Sequence, residues 1–207
     1  MRPKLIKPFV FLACLVPLAL LGLAAFQGNL GANPIEKITH ATGDWTLRFL
    51  LITLAITPLR RLTGVNELIS FRRMLGLFAF FYGTLHFMTY FWLDKFFDLH
   101  EIVKDVYKRP FITAGFTAFI LMIPLAVTST KGWIRRLGKK WTILHRLIYV
   151  SACAGVIHYI WLVKKDKLRP EIYGAILSVL LLWRVVLWFM KRQRTNAGKL
   201  PEAHLAS

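Results

Sequence analysis

Residues 142–163 read TILHRLIYVSACAGVIHYIWLV, an apolar stretch long enough to cross the hydrocarbon core of a membrane as one helix. Arg146 is the only Lys, Arg, Asp or Glu residue in it, and it also contains two histidines, His145 and His158. Ionisable side chains are costly inside a membrane and usually serve a function there. The stretch therefore predicts a transmembrane helix that carries functional histidines.

The composition of the whole chain indicates the same class of protein. Its 207 residues are 56% hydrophobic, above the ~45–50% of ordinary soluble domains, and include 28 Lys and Arg against 10 Asp and Glu. The cations lie between long apolar stretches, so they do not indicate nucleic-acid binding. The two cysteines, Cys14 and Cys153, lie in apolar runs and are expected to pack there. These features exclude a soluble domain, a disordered chain and a disulfide-stabilised secreted module.

Six apolar stretches approach the length of about 20 residues that a membrane helix needs. Their predicted bounds are 8–27, 45–60, 74–93, 111–129, 142–163 and 171–190. Pro58 marks either the end of the second stretch or a kink, because proline lacks a backbone N–H. The first stretch follows three cations as a signal peptide would, but its apolar run exceeds the usual length of about 7–15 residues, which favours an uncleaved anchor. We predict an all-α integral membrane bundle of six transmembrane helices, forming a single domain over residues 1–207.

The charged residues predict the orientation of these helices. One side receives the two termini and the segments 60–73 and 130–141, with sixteen cations against the acids Glu67 and Glu202. These cations are Arg2, Lys4, Lys7, Arg60, Arg61, Arg72, Arg73, Lys131, Arg135, Arg136, Lys139, Lys140, Lys191, Arg192, Arg194 and Lys199. The other side has nine cations and eight acids. By the positive-inside rule both termini are cytoplasmic, and we expect a multi-pass protein of the bacterial inner membrane.

Three of the six histidines fall inside predicted membrane helices, whereas His40, His100 and His204 fall in polar segments. At ~1.5 Å per residue, His86 lies about 18 Å and His158 about 24 Å from the cytoplasmic ends of their helices, but His145 only about 5 Å. A modest tilt brings the first two to one level. The sequence therefore pairs His86 with His158 in the outer half of the membrane.

Two neutral imidazoles that face each other across a helical bundle suit bis-histidine ligation of haem iron. Gly83 and Gly155 each precede one of these histidines by three residues, so they share its helical face and leave room for a flat macrocycle. Alternatively, the glycines only permit close helix packing, and the histidines form hydrogen bonds between helices. His145 is either an inner cofactor residue or a packing residue, and the spacing allows one haem or two.

Three arginines are further candidates for the site. Arg48 lies about one turn inside the second helix, where it either pairs with a haem propionate or extends to the membrane interface. Arg72 and Arg73 belong to an inner basic cluster with Lys139, Lys140 and Arg146, which suits the phosphate of a flavin or an anionic donor. The positive-inside rule explains that cluster equally well.

Many segments of the chain resemble the MsrQ family, also called YedZ. They are GANP (31–34), LAITPL (54–59), FRRMLGL (71–77), GTLH (83–86), PFITAG (110–115), AVTST (126–130), LGKKWTILHRLIY (137–149) and HYIW (158–161). The match runs in order from about residue 28 to 190. MsrQ proteins are haem-binding inner-membrane subunits of a bacterial methionine sulfoxide reductase system, within the ferric-reductase-like transmembrane superfamily.

The resemblance implies a b-type haem, an FMN, and delivery of electrons to a periplasmic molybdopterin reductase, MsrP, which repairs oxidised envelope proteins. The three membrane histidines of the family fall on His86, His145 and His158. Unlike the four-histidine oxidases of the superfamily, the chain has no second histidine in its third helix and no attached flavin domain. Quinol or a separate cytoplasmic flavin reductase is therefore the expected donor of electrons.

The predicted function is electron transfer across the membrane, from the basic inner face to a partner that docks on the outer segments 28–44 and 94–110. The protein would set the position and potential of the haem, and the partner would perform the sulfoxide chemistry. One alternative is a quinone-linked cytochrome b subunit of another oxidoreductase, or a metal-ion reductase. An alternative from a different class is a proton or metal transporter, which a visible spectrum would distinguish from a haem protein.

Overall fold

The structure is a computed structural model that describes residues 3–165 and 167–197. The regular secondary structure of these residues is helical throughout, which confirms the predicted all-α class. The α-helices are α1 (Pro3–Phe26), α2 (Pro34–Thr63), α3 (Arg72–Met88), α4 (Leu99–Lys108), α5 (Pro110–Val127), α6 (Lys131–Leu137), α7 (Lys139–Leu144), α8 (Leu147–Leu162) and α9 (Leu168–Ala197). A 3₁₀ turn (Asn66–Ser70) precedes α3, and a π-helix (Thr89–Asp94) continues it.

Five stretches of the described helices are long and apolar enough to cross a membrane. They are Leu5–Phe26, Arg72–Asp94, Pro110–Val127, Lys139–Leu162 and Leu168–Gln193. Helix α2 is not among them, although its apolar middle is buried against neighbouring helices. The five stretches correspond to predicted stretches one, three, four, five and six, within a few residues at most ends.

The predicted bounds of the second helix, 45–60, are wrong. Helix α2 begins at Pro34, because the Asn33 side chain accepts a hydrogen bond from the Glu36 N–H and proline suits the first helical position. It ends at Thr63, and the next residue, Gly64, has a left-handed φ of 72° that closes the last turn. The added turns carry polar residues, so they are not part of an apolar stretch.

Pro58 does not end α2, which continues through it to Thr63. Proline has no N–H to donate to the carbonyl of Leu54, one turn earlier. Arg184 of α9 fills this place, because its Nη2 donates to the Leu54 carbonyl at 2.8 Å, while its Nη1 donates to the Tyr149 hydroxyl at 2.9 Å. An arginine inside the membrane therefore joins three helices through polar groups that would otherwise lack partners.

A side chain also takes the place of a helical hydrogen bond where α1 contacts α3. The hydroxyl of Tyr82 accepts a hydrogen bond from the Leu18 N–H at 3.2 Å and donates one to the Cys14 carbonyl at 2.9 Å. It thus stands between the two groups that would form a helical hydrogen bond, next to Pro17. Cys14 is buried at this contact, which confirms that it is a packing residue.

The fifth predicted helix, 142–163, is interrupted. Helix α7 ends at Leu144, His145 follows at its end, and α8 begins at Leu147. The last helix is longer than the predicted 171–190 and runs from Leu168 to Ala197. Five residues used to predict the topology and the solvated histidines lie outside the described residues: Arg2, Asp166, Lys199, Glu202 and His204.

Candidate functional site

A cavity of about 370 Å³, here called the outer cavity after the predicted orientation, lies between α2, α3, α5 and α8. Both His86 and His158 line it, together with an apolar wall that includes Leu50, Phe87 and Phe119. This size and lining are typical of cofactor pockets, which are mostly apolar with few polar groups.

His86 of α3 and His158 of α8 face each other in the outer cavity. Their ring centroids are 6.1 Å apart, and the ring planes make an angle of 71°. An imidazole nitrogen binds a metal ion at about 2 Å, so two rings that share one ion need centroids about 6 Å apart. The observed spacing is one at which both imidazoles could hold a single metal ion.

Hydrogen bonds to the backbone select the tautomer of both rings. His86 Nδ1 lies 2.9 Å from the Thr39 carbonyl of α2, and His158 Nδ1 lies 2.6 Å from the Phe111 carbonyl of α5. A carbonyl only accepts, so each Nδ1 carries the proton and Nε2 keeps a lone pair. Metal-binding histidines are commonly held in this way.

Two glycines that the sequence analysis missed let the rings reach those carbonyls. A Cβ atom at Gly43 would lie 3.0 Å from His86 Cε1, and one at Gly115 would lie 2.8 Å from His158 Nδ1. All four glycines line the outer cavity, but the nearest atoms to a Cβ at Gly83 or Gly155 do not belong to a histidine. The missing side chains of Gly43 and Gly115 thus let the imidazoles lie against α2 and α5, and those of Gly83 and Gly155 leave the cavity wider.

A repeat in the sequence would have revealed these glycines. Each histidine bonds to the carbonyl of the residue 47 positions earlier. In both cases a glycine follows that residue by four positions, as the pairs Thr39 with Gly43 and Phe111 with Gly115 show. The helix pairs α2 with α3 and α5 with α8 therefore present their histidines by the same local design.

His145 lies in a second cavity of about 280 Å³, the inner cavity, which Arg72 and Arg73 also line. Met122 lines both cavities. The structure thus separates His145 from the pair of His86 and His158, and places it with the two arginines of the predicted inner cluster. Lys139 and Lys140 are not among the residues that line this cavity.

The hydrogen bonds of His145 differ from those of the other two histidines. Its ring stacks on Trp141 with centroids 3.9 Å apart, and its Nε2 lies 3.0 Å from the Thr128 hydroxyl. That hydroxyl donates its one proton to the Pro124 carbonyl at 2.6 Å, so Nε2 is the donor to Thr128. The neutral ring therefore keeps its lone pair on Nδ1.

Arg48, which the sequence assigned either to a haem propionate or to the membrane interface, does not line the outer cavity. Its Nε donates to the Tyr173 hydroxyl of α9 at 2.9 Å, its Nη2 lies 3.7 Å from Asp44, and its guanidinium covers the Trp45 ring. These contacts join α2 to α9. Arg109, which the sequence analysis assigned only to the outer charged segments, lines the cavity instead.

Beside the outer cavity, the carboxylate of Asp105 in α4 is buried and gathers three donors. Lys95 Nζ lies 2.6 Å from its Oδ2, the Tyr90 hydroxyl donates to the same oxygen at 3.3 Å, and Arg109 Nε lies 3.3 Å from Oδ1. Burial raises the pKa of Asp105, but the hydrogen bond and charge of Lys95 and the charge of Arg109 outweigh this effect and lower the pKa below its ordinary 3.8. This cluster fixes α4 beside the cavity.

Comparisons with known proteins agree with this architecture. Residues 42–156 match the family described as "Ferric reductase like transmembrane component". Of the four histidines that line the two cavities, His86 and His145 lie within that range, whereas His40 precedes it and His158 follows it, each by two residues. No solved structure matches the chain.

Several curated proteins named "Protein-methionine-sulfoxide reductase heme-binding subunit MsrQ" are similar over most of their length. The protein from Herminiimonas arsenicoxydans is 58% identical over 196 residues, which cover 93% of this chain and 90% of the relative. Those from Azospira oryzae and Xanthomonas campestris pv. campestris are 52% and 50% identical, covering 87% and 94% of this chain and 78% and 92% of the relatives. The chain belongs to the MsrQ family of ferric-reductase-like transmembrane proteins.

Proposed function

We propose that this chain is a b-type cytochrome that passes electrons across the inner membrane to a periplasmic methionine sulfoxide reductase. The observation that carries the proposal is the pair of imidazoles, His86 and His158, 6.1 Å apart in one cavity with both Nδ1 atoms tied to carbonyls. The relatives named as haem-binding MsrQ subunits support the same cofactor.

His86 and His158 would hold the haem through their Nε2 lone pairs. When bound, the haem supplies one-electron redox chemistry. The carbonyls of Thr39 and Phe111 keep the rings oriented and strengthen them as ligands, because an N–H donated to an acceptor raises the basicity of the opposite nitrogen. The apolar side chains of the outer cavity would pack against the haem and limit the access of water to it.

The inner cavity is the proposed entry point for electrons and the site of the FMN. Arg72 and Arg73 would pair with its phosphate, and the stacked rings of Trp141 and His145 add an aromatic wall. Its position beside the predicted cytoplasmic basic segments suits a cytoplasmic flavin reductase or quinol as donor. One haem in the outer cavity and one flavin in the inner cavity is the proposed cofactor set.

We also propose that α2 crosses the membrane in addition to the five spans described above. The single domain would then have six transmembrane helices, with both termini in the cytoplasm. At ~1.5 Å per residue its 30 residues are about 45 Å long, enough to cross a bilayer. Apolar side chains in its middle, such as Leu47, Leu50 and Leu54, are buried among those of other helices, so this helix needs less apolar surface than one that lipid surrounds. The charge asymmetry across the predicted loops supports the orientation.

The outer segments 28–44 and 94–110 would receive the periplasmic partner, a molybdopterin reductase of the MsrP type. That partner would reduce the sulfoxide, and this chain would supply the electrons. The residues between α3 and α5 include α4, whose exposed face carries Lys104 and Lys108 beside Glu101. Mixed charges of this kind suit a transient, oriented contact between redox partners.

Purified protein in detergent tests the proposal. A reduced-minus-oxidised spectrum with pyridine-haemochrome quantification should give one b-type haem per polypeptide, and the reduced protein should be reoxidised when the periplasmic reductase and methionine sulfoxide are added together. A colourless protein would contradict the haem assignment, and reduced haem that is stable in the presence of both additions would contradict the assigned partner.

A further inference from the structure

Within the described residues, Arg109 is the only Lys or Arg that lines the outer cavity. The two carboxylates of a haem need cationic or hydrogen-bonding partners at the polar end of an otherwise apolar site, because a charged group without partners is costly to bury. Asp44 and Asp94 also line the cavity and have the same charge as those carboxylates. Among the described residues that line the cavity, Arg109 is the one with a permanent positive charge.

We propose that Arg109 is the residue that pairs with the carboxylates of the cofactor in the outer cavity, and that Asp105 positions it. This inference rests on the proposed haem function and assigns the part of the site that binds the acidic edge of the haem. It replaces Arg48, which the sequence pattern suggested for this role.

The contact between the two side chains prepares Arg109 for such a ligand. Asp105 engages the Nε of Arg109 at 3.3 Å, and within the described residues no hydrogen bond occupies the Nη atoms. A planar guanidinium held at Nε can offer its Nη groups to a carboxylate in a paired contact. The side chain of Arg109 is 54% exposed, which leaves these atoms accessible.

Asp105 is itself rigidly placed. Its side chain is only 7% exposed, and Lys95 and Tyr90 both bind its Oδ2, so that Oδ1 is left for Arg109. The Arg109 N–H also donates to the Asp105 carbonyl at 2.9 Å, which fixes the backbone between them. Asp105 thus acts on the cofactor only through Arg109 and is a positioning residue.

Nearby cations already have other contacts. Lys95 is paired with Asp105, and Arg48 with Tyr173 and Asp44. Lys37 provides a matched control, because it lies two residues before Thr39 as Arg109 lies two residues before Phe111, but it is exposed and does not line the cavity.

The test compares binding of haem b with binding of its dimethyl ester, which lacks the negative charges. Protein purified in detergent from cells starved of haem precursors is titrated with each ligand and followed by visible absorbance. In Arg109→Gln, affinity for haem b should fall about tenfold while affinity for the dimethyl ester is unchanged. Asp105→Asn should cause a smaller loss that is also selective for haem b, and Lys37→Gln should change neither affinity.

Each other outcome gives a definite answer. Equal losses for both ligands in Arg109→Gln would mean a purely structural role and would overturn the proposal, as would no loss at all. If Arg109→Gln fails to fold, Arg109→Lys keeps the charge but loses the paired geometry, and a selective loss of haem b binding in that variant would support the proposal, whereas an unselective one would overturn it. Wild-type protein that binds neither ligand would refute the haem function itself.

Discussion

His86 and His158 are held by the same device: each donates its Nδ1 proton to the carbonyl of the residue 47 positions earlier, and a glycine four residues after that carbonyl gives the ring room. The two halves of the site thus have equivalent parts on α2 with α3 and on α5 with α8. Each ring is bonded to a carbonyl of the neighbouring helix and packed against a glycine of the same helix, so it has little freedom to move. Such rigidity suits a cofactor that must change its charge with little reorganisation.

The first prediction concerns the glycines that accommodate the rings. Gly115→Ala should displace His158, because its Cβ would come within 2.8 Å of the ring, and Gly43→Ala should displace His86, whose Cε1 would be 3.0 Å away. Both variants should retain less haem per polypeptide and show an altered low-spin spectrum. Gly22→Ala is the control, since a Cβ there meets nothing within 4 Å. Full haem content in both site variants would show that the rings do not need these positions.

The second prediction tests the link between Arg184 and Pro58. Arg184→Met leaves the Leu54 carbonyl without its donor and should lower the free energy of unfolding by about 1–3 kcal/mol. In a Pro58→Ala background the alanine introduced has an N–H that can bond to that carbonyl, so the same arginine substitution should cost less. Denaturant unfolding in detergent of the wild type, the two single variants and the double variant gives the four unfolding free energies of the double-mutant cycle. An equal cost in both backgrounds would mean that Arg184 does not compensate for the proline.

His145 should have a role separable from that of the haem ligands. It lies in the inner cavity with Arg72 and Arg73, so His145→Ala should slow reduction by the cytoplasmic donor while the outer haem stays spectrally present. Stopped-flow reduction combined with haem quantification measures both properties. Loss of all haem would mean that His145 ligates the principal haem, and unchanged haem content and reduction rate would return it to a packing role.

The Asp105 cluster predicts how the order of α4 depends on pH. The pKa of Asp105 in the folded protein lies below its ordinary 3.8, so the cluster contributes stability that is fully present above pH 3.8 and is lost as the pH falls through the lower folded value. Hydrogen-exchange protection of α4, corrected for intrinsic rates, should be constant from pH 7 to about pH 5 and should decrease in acid. Asp105→Asn should show weaker protection at neutral pH and a smaller change in acid. The same acid profile in both proteins would remove Asp105 as the cause.

Helical class and the approximate positions of the apolar spans could be predicted because a bilayer requires long apolar helices. The depth argument also brought His86 near His158, and the two rings do share a cavity. Their role as ligands remains a prediction.

Features that depend on contacts between helices could not be predicted from one helix at a time. Gly43 and Gly115 act on histidines that belong to other helices. The use of Arg184 as a donor for the Leu54 carbonyl depends on how α9 packs against α2. Arg109 lay in a charged loop, and only the packing of α4 and α5 brings it to the cavity.

The haem content of three histidine variants tests the central claim most directly. His86→Ala and His158→Ala should each lose the same bis-histidine haem signal, because the two rings are proposed to bind one iron. His100→Ala, an exposed residue in α4, should keep the signal at the wild-type level. If His86→Ala and His158→Ala both keep full bis-histidine haem, the pair does not hold the cofactor and the account is wrong.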